Sequence, residues 1–277
     1  MEITFCNNSE IKEAIVALIN KEITPGLQET VIENFYKDWK EKFETDTVDF
    51  KFSNKVIATD FFLPDIKSLV GVDYPTWFNI NSSNTKRIMI LGIDPLRNKN
   101  AFNSEGAGIN TEAIIGTPYA LHRKSMREGK DGKDKSYWEF IKSMLNKNYG
   151  IYLTDIFKIY FMIENKRSYD HKIFIKNEQK HLKQILDKEI EIIKPDLIIV
   201  LGNKPLGFLC EQKIKLTDKI STNLEYNNTP ILPMVHLSGL ASGGRKTFIN
   251  NNLSVNDSKN DVNSYLNIVD NFISGSN

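Results

Sequence analysis

Four short apolar runs constrain this chain more than any other feature: Ile88–Leu91, Ile151–Phe157, Leu197–Leu201 and Ile231–Val235. Each is too short for an ordinary helix, is rich in aliphatic residues, and runs into polar or glycine-marked sequence. They read as strands buried on both faces. Helical patterns lie between and after them. Ser136–Leu145 carries Tyr137, Phe140, Ile141 and Met144 at helical spacing, Asn177–Ile193 is stopped by Lys194-Pro195-Asp196, and Asp261–Phe272 is amphipathic. Strands alternating with helices predict a three-layer α/β/α fold with a four-stranded, mainly parallel sheet. In such sheets ligands bind beyond the carboxyl ends of the strands. The first run, within RIMILGIDPLRN at 87–98, places Asp94 at such an end with Pro95 stiffening the loop. An Asp capping a turn is the plainer use of the same residue.

The length of 277 residues suits one such domain with an N-terminal addition. Ser9–Ile23 opens on a cap, SEIKE, and places Ile11, Ile15, Leu18 and Ile19 on one face before Thr24-Pro25-Gly26 ends it. Gln28–Phe43 repeats the pattern with Val31, Phe35, Trp39 and Phe43. Residues 1–80 are therefore assigned to a helical extension packed on the core, and 81–277 to the α/β/α domain, although Lys51–Ile80 carries no clear period. The net charge of +1 confines any nucleic-acid surface to a local patch. Cys6 and Cys210 form no paired motif, which argues against a disulfide framework, a zinc site or an iron–sulfur cluster and suits a reducing cytoplasm. The N-terminus lacks a basic signal-peptide region, and no apolar run approaches the roughly 18 residues of a membrane helix. The expectation is a soluble, cytoplasmic monomer without metal or organic cofactor.

Two other stretches stand out. The segment from 98 to 127 is long, contains GTPYALHR at 116–123, and has the length of a functional lid or a disordered loop. Lys158–Lys183 holds seven Lys or Arg against three acids, which suits phosphate contact as well as a solvated helix face.

Three of the strand ends carry GIDPL, YLTDIFK and HLSGL in that order, and IIKPDLIIVLGNKPL precedes the last. This arrangement resembles the uracil-DNA glycosylase superfamily, over roughly Arg87 to Leu240. The resemblance implies a monofunctional DNA glycosylase that flips a base from DNA, expected to be double-stranded, and hydrolyses its N-glycosidic bond to leave an abasic site. Asp94 would stabilise the oxocarbenium-like sugar and orient water. His236, as a neutral imidazole, would donate to the departing base. Ser238 would grip a phosphate, and Leu240 would fill the gap left by the flipped nucleotide. Leu237 and Gly239 stand where the family's loop has two prolines, which implies a looser loop. Tyr119 matches the aromatic that stacks on the base in the iron–sulfur branch, with Phe102 as the competitor. Gly92 and Ile93 would line the base pocket. Arg97 and Arg245 would join Ser238 and Leu240 on the DNA side, and Lys158 fits a phosphate or a structural contact.

Asp155 departs from the family pattern, which commonly has Asn at this place in enzymes that excise uracil. An Asn amide accepts from N3 and donates to O4 of uracil, whereas an ionised Asp only accepts. Asp155 therefore points to the amino group of a cytosine-type base, and to a modified cytosine of foreign DNA, since removing ordinary cytosine would damage the host. A uracil-excising repair enzyme, a nucleotide-handling enzyme using the same crevice and a non-catalytic binding module of the same fold are the rival readings.

Overall fold

The computed structural model describes residues 3–4, 6, 8–45, 50–53, 56, 68–80, 86–93, 112–129, 135–163, 171–210, 214–220, 223–238, 241–253 and 261–275. Two helices open the chain, α1 (Ser9–Glu22) and α2 (Glu29–Glu41). The cap of α1 is Asn8, whose side chain accepts from the Ile11 N–H at 3.1 Å, one position before the cap read from SEIKE. Strands β1 (Phe50–Ser53), β2 (Ser68–Asp73) and β3 (Thr76–Phe78) follow. Next come β4 (Arg87–Gly92), β5 (Glu112–Gly116), α3 (Lys124–Glu128), α4 (Ser136–Asn146), β6 (Gly150–Asp155) and β7 (Ile159–Ile163). The last third holds α5 (His171–Ile193), β8 (Leu197–Leu201), α6 (Asn203–Leu209), β9 (Glu225–Tyr226), β10 (Thr229–Met234), α7 (Ser242–Asn252) and α8 (Asp261–Ser274).

The expected four parallel strands form the centre of a larger sheet. Its order is β3-β6-β4-β8-β10-β9, parallel from β6 to β10, with an antiparallel strand at each edge. The count of four is thus corrected to six. The added strands are three and two residues long, too short to show a period, and they exist through their partners. A second sheet, β1-β5-β2-β7, draws on stretches in which the sequence showed no strand. Residues 1–80 are accordingly not helical throughout, because β1, β2 and β3 lie within them.

β6 and β8 are buried from end to end and β4 and β10 over all but Arg87 and Pro230, as their cores of Ile, Leu, Met and Val require. Successive side chains point to opposite faces. Tyr152 and Thr154 reach Glu189 of α5, and α1 packs on α5. Phe78 meets Trp138 of α4, which in turn packs with α8. The initial helices are tied to the turn between β2 and β3: Tyr36 donates to the Pro75 carbonyl at 2.6 Å, and the Tyr74 hydroxyl meets Thr24 Oγ1 at 2.8 Å. One buried cluster includes Ile15, Trp39, Trp77, Met89, Ile199 and Tyr265, so residues on both sides of position 80 share a core. Among the described residues no helix is long and apolar enough to cross a membrane.

Candidate active site

The site begins where β4 and β6 end side by side. Gly92 and Asp155 are register partners in this parallel pair. The pairing continues beyond the strands: the Ile156 N–H donates to the Gly92 carbonyl at 3.0 Å and the Phe157 N–H to the Ile93 carbonyl at 2.8 Å. Ile93 is half-buried at this rim. A methyl group on Gly92 would lie 2.1 Å from Asp155 Oδ1, 3.3 Å from its Cγ and 3.4 Å from Tyr119 Oη. The carboxylate and the phenol therefore converge over a glycine that leaves them the space. Asp155 itself is 4% exposed.

Tyr119 reaches this point through an unusual turn. Tyr119 and Ala120 both have positive φ, 58° and 51°, a conformation that bulky side chains rarely adopt. Thr117 holds the turn: its carbonyl accepts from the Ala120 N–H at 2.8 Å, and its hydroxyl lies 3.2 Å from both the backbone N and Nδ1 of His122. His122 is wedged edge-on against Phe35 of α2. Among the described residues the buried Tyr119 hydroxyl has no hydrogen-bond partner. Burial, followed by the nearby Tyr137 and the Asp155 charge, raises its pKa well above the ordinary 10, so the group is a neutral phenol.

Tyr137, in the first turn of α4, stacks on Tyr119 with centroids 4.1 Å apart and planes at 17°. Its hydroxyl is hydrogen-bonded to His236 Nδ1 and lies 3.3 Å from Nε2. His236 follows β10 and stands edge-on to both rings, at 5.4 Å from Tyr137 and 6.3 Å from Tyr119. Gly202, at the end of β8 with φ +101°, turns the chain beside it: a methyl there would lie 3.7 Å from His236 Cδ2. Asp155, Tyr119 and His236, predicted from three separate stretches, are thus brought together. Tyr137 and Gly202 complete the group without having been singled out. Asp94, Arg97, Phe102 and Leu240 lie outside the described residues, as does Gly239.

Two expected DNA contacts are corrected. Lys158 is 1% exposed, and its Nζ donates to Glu189 Oε2 at 2.8 Å, Thr154 Oγ1 at 2.7 Å and the Asp155 carbonyl at 2.7 Å. Of its two readings the structural one holds, because no phosphate reaches an ammonium enclosed by its counter-ion. Arg245 is also turned inward. Its Nε donates to Asp261 Oδ2 at 2.8 Å, and its NH1 donates to the Leu237 carbonyl at 2.7 Å and to the Ser238 carbonyl. With the Tyr265 hydroxyl on the Val235 carbonyl at 2.7 Å, these bonds brace the loop that lacks prolines. Ser238 is half-buried within it. Among the described residues no three His, Cys, Asp or Glu side chains converge as a metal site.

No curated relative matches the chain. The family model of the uracil DNA glycosylase superfamily matches residues 80–262, about two-thirds of the 277 residues. The matched span takes in the ends of β4, β6, β8 and β10, together with Tyr119 and Tyr137. The chain belongs to the uracil DNA glycosylase superfamily.

Proposed function

We propose that this protein is a monofunctional DNA glycosylase acting on a cytosine-type base. The observation that carries the reading is the convergence of the Asp155 carboxylate and Tyr119 over Gly92, with His236 on the same aromatic cluster. A flipped base stacks on the face of Tyr119 opposite Tyr137 and turns its edge to Asp155. The carboxylate accepts from the N4 amino group, which uracil lacks. Asp94, two residues beyond Gly92, stabilises positive charge at C1′ and orients the attacking water. His236 donates a hydrogen bond to O2 of the leaving base as negative charge builds there. Water supplies the hydroxyl at C1′ and a proton that neutralises the base, leaving an abasic site. Foreign DNA carrying modified cytosine is the substrate that spares the host's own.

The Tyr119 hydroxyl favours a second reading. For a base lying edge-on to this ring, a phenol donor beside a carboxylate acceptor complements O4 and N3–H of uracil, as an asparagine amide does. End-labelled duplexes containing uracil, cytosine, hydroxymethylcytosine or glucosylated hydroxymethylcytosine separate the two, with alkali revealing abasic sites. Cleavage confined to a cytosine form, retained in Tyr119→Phe, supports the first reading. Cleavage at uracil, lost in Tyr119→Phe, supports the second. No cleavage of any duplex, with binding intact, makes the protein a binding module.

A further inference from the structure

An imidazole that donates to a leaving base has to carry its proton on the nitrogen that faces the base. In a neutral ring the partner of the other nitrogen decides which one that is. The partner here is Tyr137. Its hydroxyl bonds Nδ1 of His236, and the same oxygen lies farther from Nε2, at 3.3 Å. Of the two senses this bond allows, phenol O–H to the Nδ1 lone pair or Nδ1–H to the phenol oxygen, the first pairs the more acidic proton with the more basic acceptor, and it leaves the ring proton on Nε2. The phenol is itself held in place. Its ring is stacked on Tyr119 at 4.1 Å, and the neighbouring residues Trp138 and Phe140 anchor the first turns of α4 in the core. Swinging the hydroxyl off His236 would separate the stacked rings.

We propose that Tyr137 is a positioning residue that fixes His236 in the tautomer protonated on Nε2 and sets the angle of its ring. Tyr137 touches neither the base nor the sugar. It acts through His236 on one side and through the Tyr119 platform on the other, so the surface that receives the base and the group that assists its departure share one support. The tautomer follows from the phenol being the donor in this bond. Only its kinetic consequence rests on the glycosylase reading.

The test uses the full-length protein with its four histidines labelled with nitrogen-15, and assigns the His236 signals by their loss in His236→Asn. Long-range proton–nitrogen spectra distinguish the two tautomers and the imidazolium. The expected wild-type pattern is protonated Nε2 with unprotonated Nδ1. Tyr137→Phe keeps the ring stack and removes only the hydroxyl, so its His236 nitrogens should move toward the averaged signals of exchanging tautomers. On whichever duplex the wild type cleaves, the single-turnover rate at saturating DNA should fall about tenfold, the weight of one neutral hydrogen bond, with unchanged DNA affinity. A wild-type His236 protonated on Nδ1, or on both nitrogens, overturns the proposal even if the variant fails to fold. So does a folded Tyr137→Phe whose His236 nitrogen signals equal those of the wild type. If no duplex is cleaved, the glycosylase reading falls while the nitrogen spectra still decide the role of Tyr137.

Discussion

Replacing Gly92 with Ala puts a methyl group 2.1 Å from Asp155 Oδ1. A comfortable carbon–oxygen approach is about 3.3 Å, so the carboxylate has to retreat by about 1.2 Å. Its backbone cannot follow. The β4–β6 ladder holds it on one side, and Lys158 Nζ holds its carbonyl at 2.7 Å on the other. The side chain must rotate within a buried site, which as overpacking costs about 1–3 kcal/mol and leaves the protein folded. In an Asp155→Ala background the close contact is gone, and the next nearest atom, Tyr119 Oη at 3.4 Å, is an ordinary contact. There Gly92→Ala is neutral, or stabilises by about 0.5–1 kcal/mol through the reduced freedom of the unfolded chain. Urea unfolding of the four proteins in this cycle should therefore give a coupling of about 1–3 kcal/mol. On a cleaved duplex, misplacing the base-reading atom by about 1 Å should slow single-turnover cleavage about 100-fold. Equal costs of Gly92→Ala in both backgrounds would refute the clash. A folded Gly92→Ala that cleaves at the wild-type rate would remove Asp155 from base recognition.

Lys158→Met leaves Glu189 buried without its counter-ion and should cost about 3–5 kcal/mol in urea unfolding, much of it recovered in Lys158→Met/Glu189→Leu; a loss below about 1 kcal/mol means that water reaches the pair. Arg245→Ala should leave the slope of log affinity against log salt unchanged, because the guanidinium holds carbonyls rather than phosphate; a slope reduced by about 1 restores it to the DNA surface. Several tyrosines hold their protons more tightly folded than unfolded: burial, then Asp270, pushes Tyr149 up to about 12, and burial raises Tyr36 and, with Glu189 adding, Tyr152. The Tyr149 contribution is complete below the unfolded value of 10 and is lost as pH rises through about 12, and those of Tyr36 and Tyr152 likewise decline once pH passes 10, so the melting temperature should fall from pH 10 upward together with the appearance of tyrosinate absorbance. A melting temperature flat from pH 10 to 12 contradicts this.

The central strands and the long helices were legible because their signals are local. The run Leu197–Leu201 and the stripe Ile11, Ile15, Leu18, Ile19 each declare themselves within a few residues, and the strand ends followed from the fold class. Thr76–Phe78 and Glu225–Tyr226 become strands only through β6 and β10, so nothing within them announces it. Ile159–Ile163 was masked by the basic run that begins at Lys158. Tyr137 shows in the sequence only as a residue in helical step with Phe140, Ile141 and Met144; its hydroxyl finds a partner 99 residues away. Arg245 reads as a cation on the DNA side, and Lys158 as either a phosphate or a structural contact, because the carboxylates that hold them, Asp261 and Glu189, lie 16 and 31 residues further on.

The amides of Ile156 and Phe157 lie beyond the end of β6, where a chain emerging from a sheet ordinarily gives its N–H groups to solvent. Here they close on the carbonyls of Gly92 and Ile93. Their deuterium uptake therefore requires the two rims of the crevice to part. Binding that engages both rims should slow this uptake while leaving the exchange of α1 and α2 unchanged, and DNA held elsewhere on the surface should not. The protein thus carries a gauge of base engagement that needs no label and no turnover.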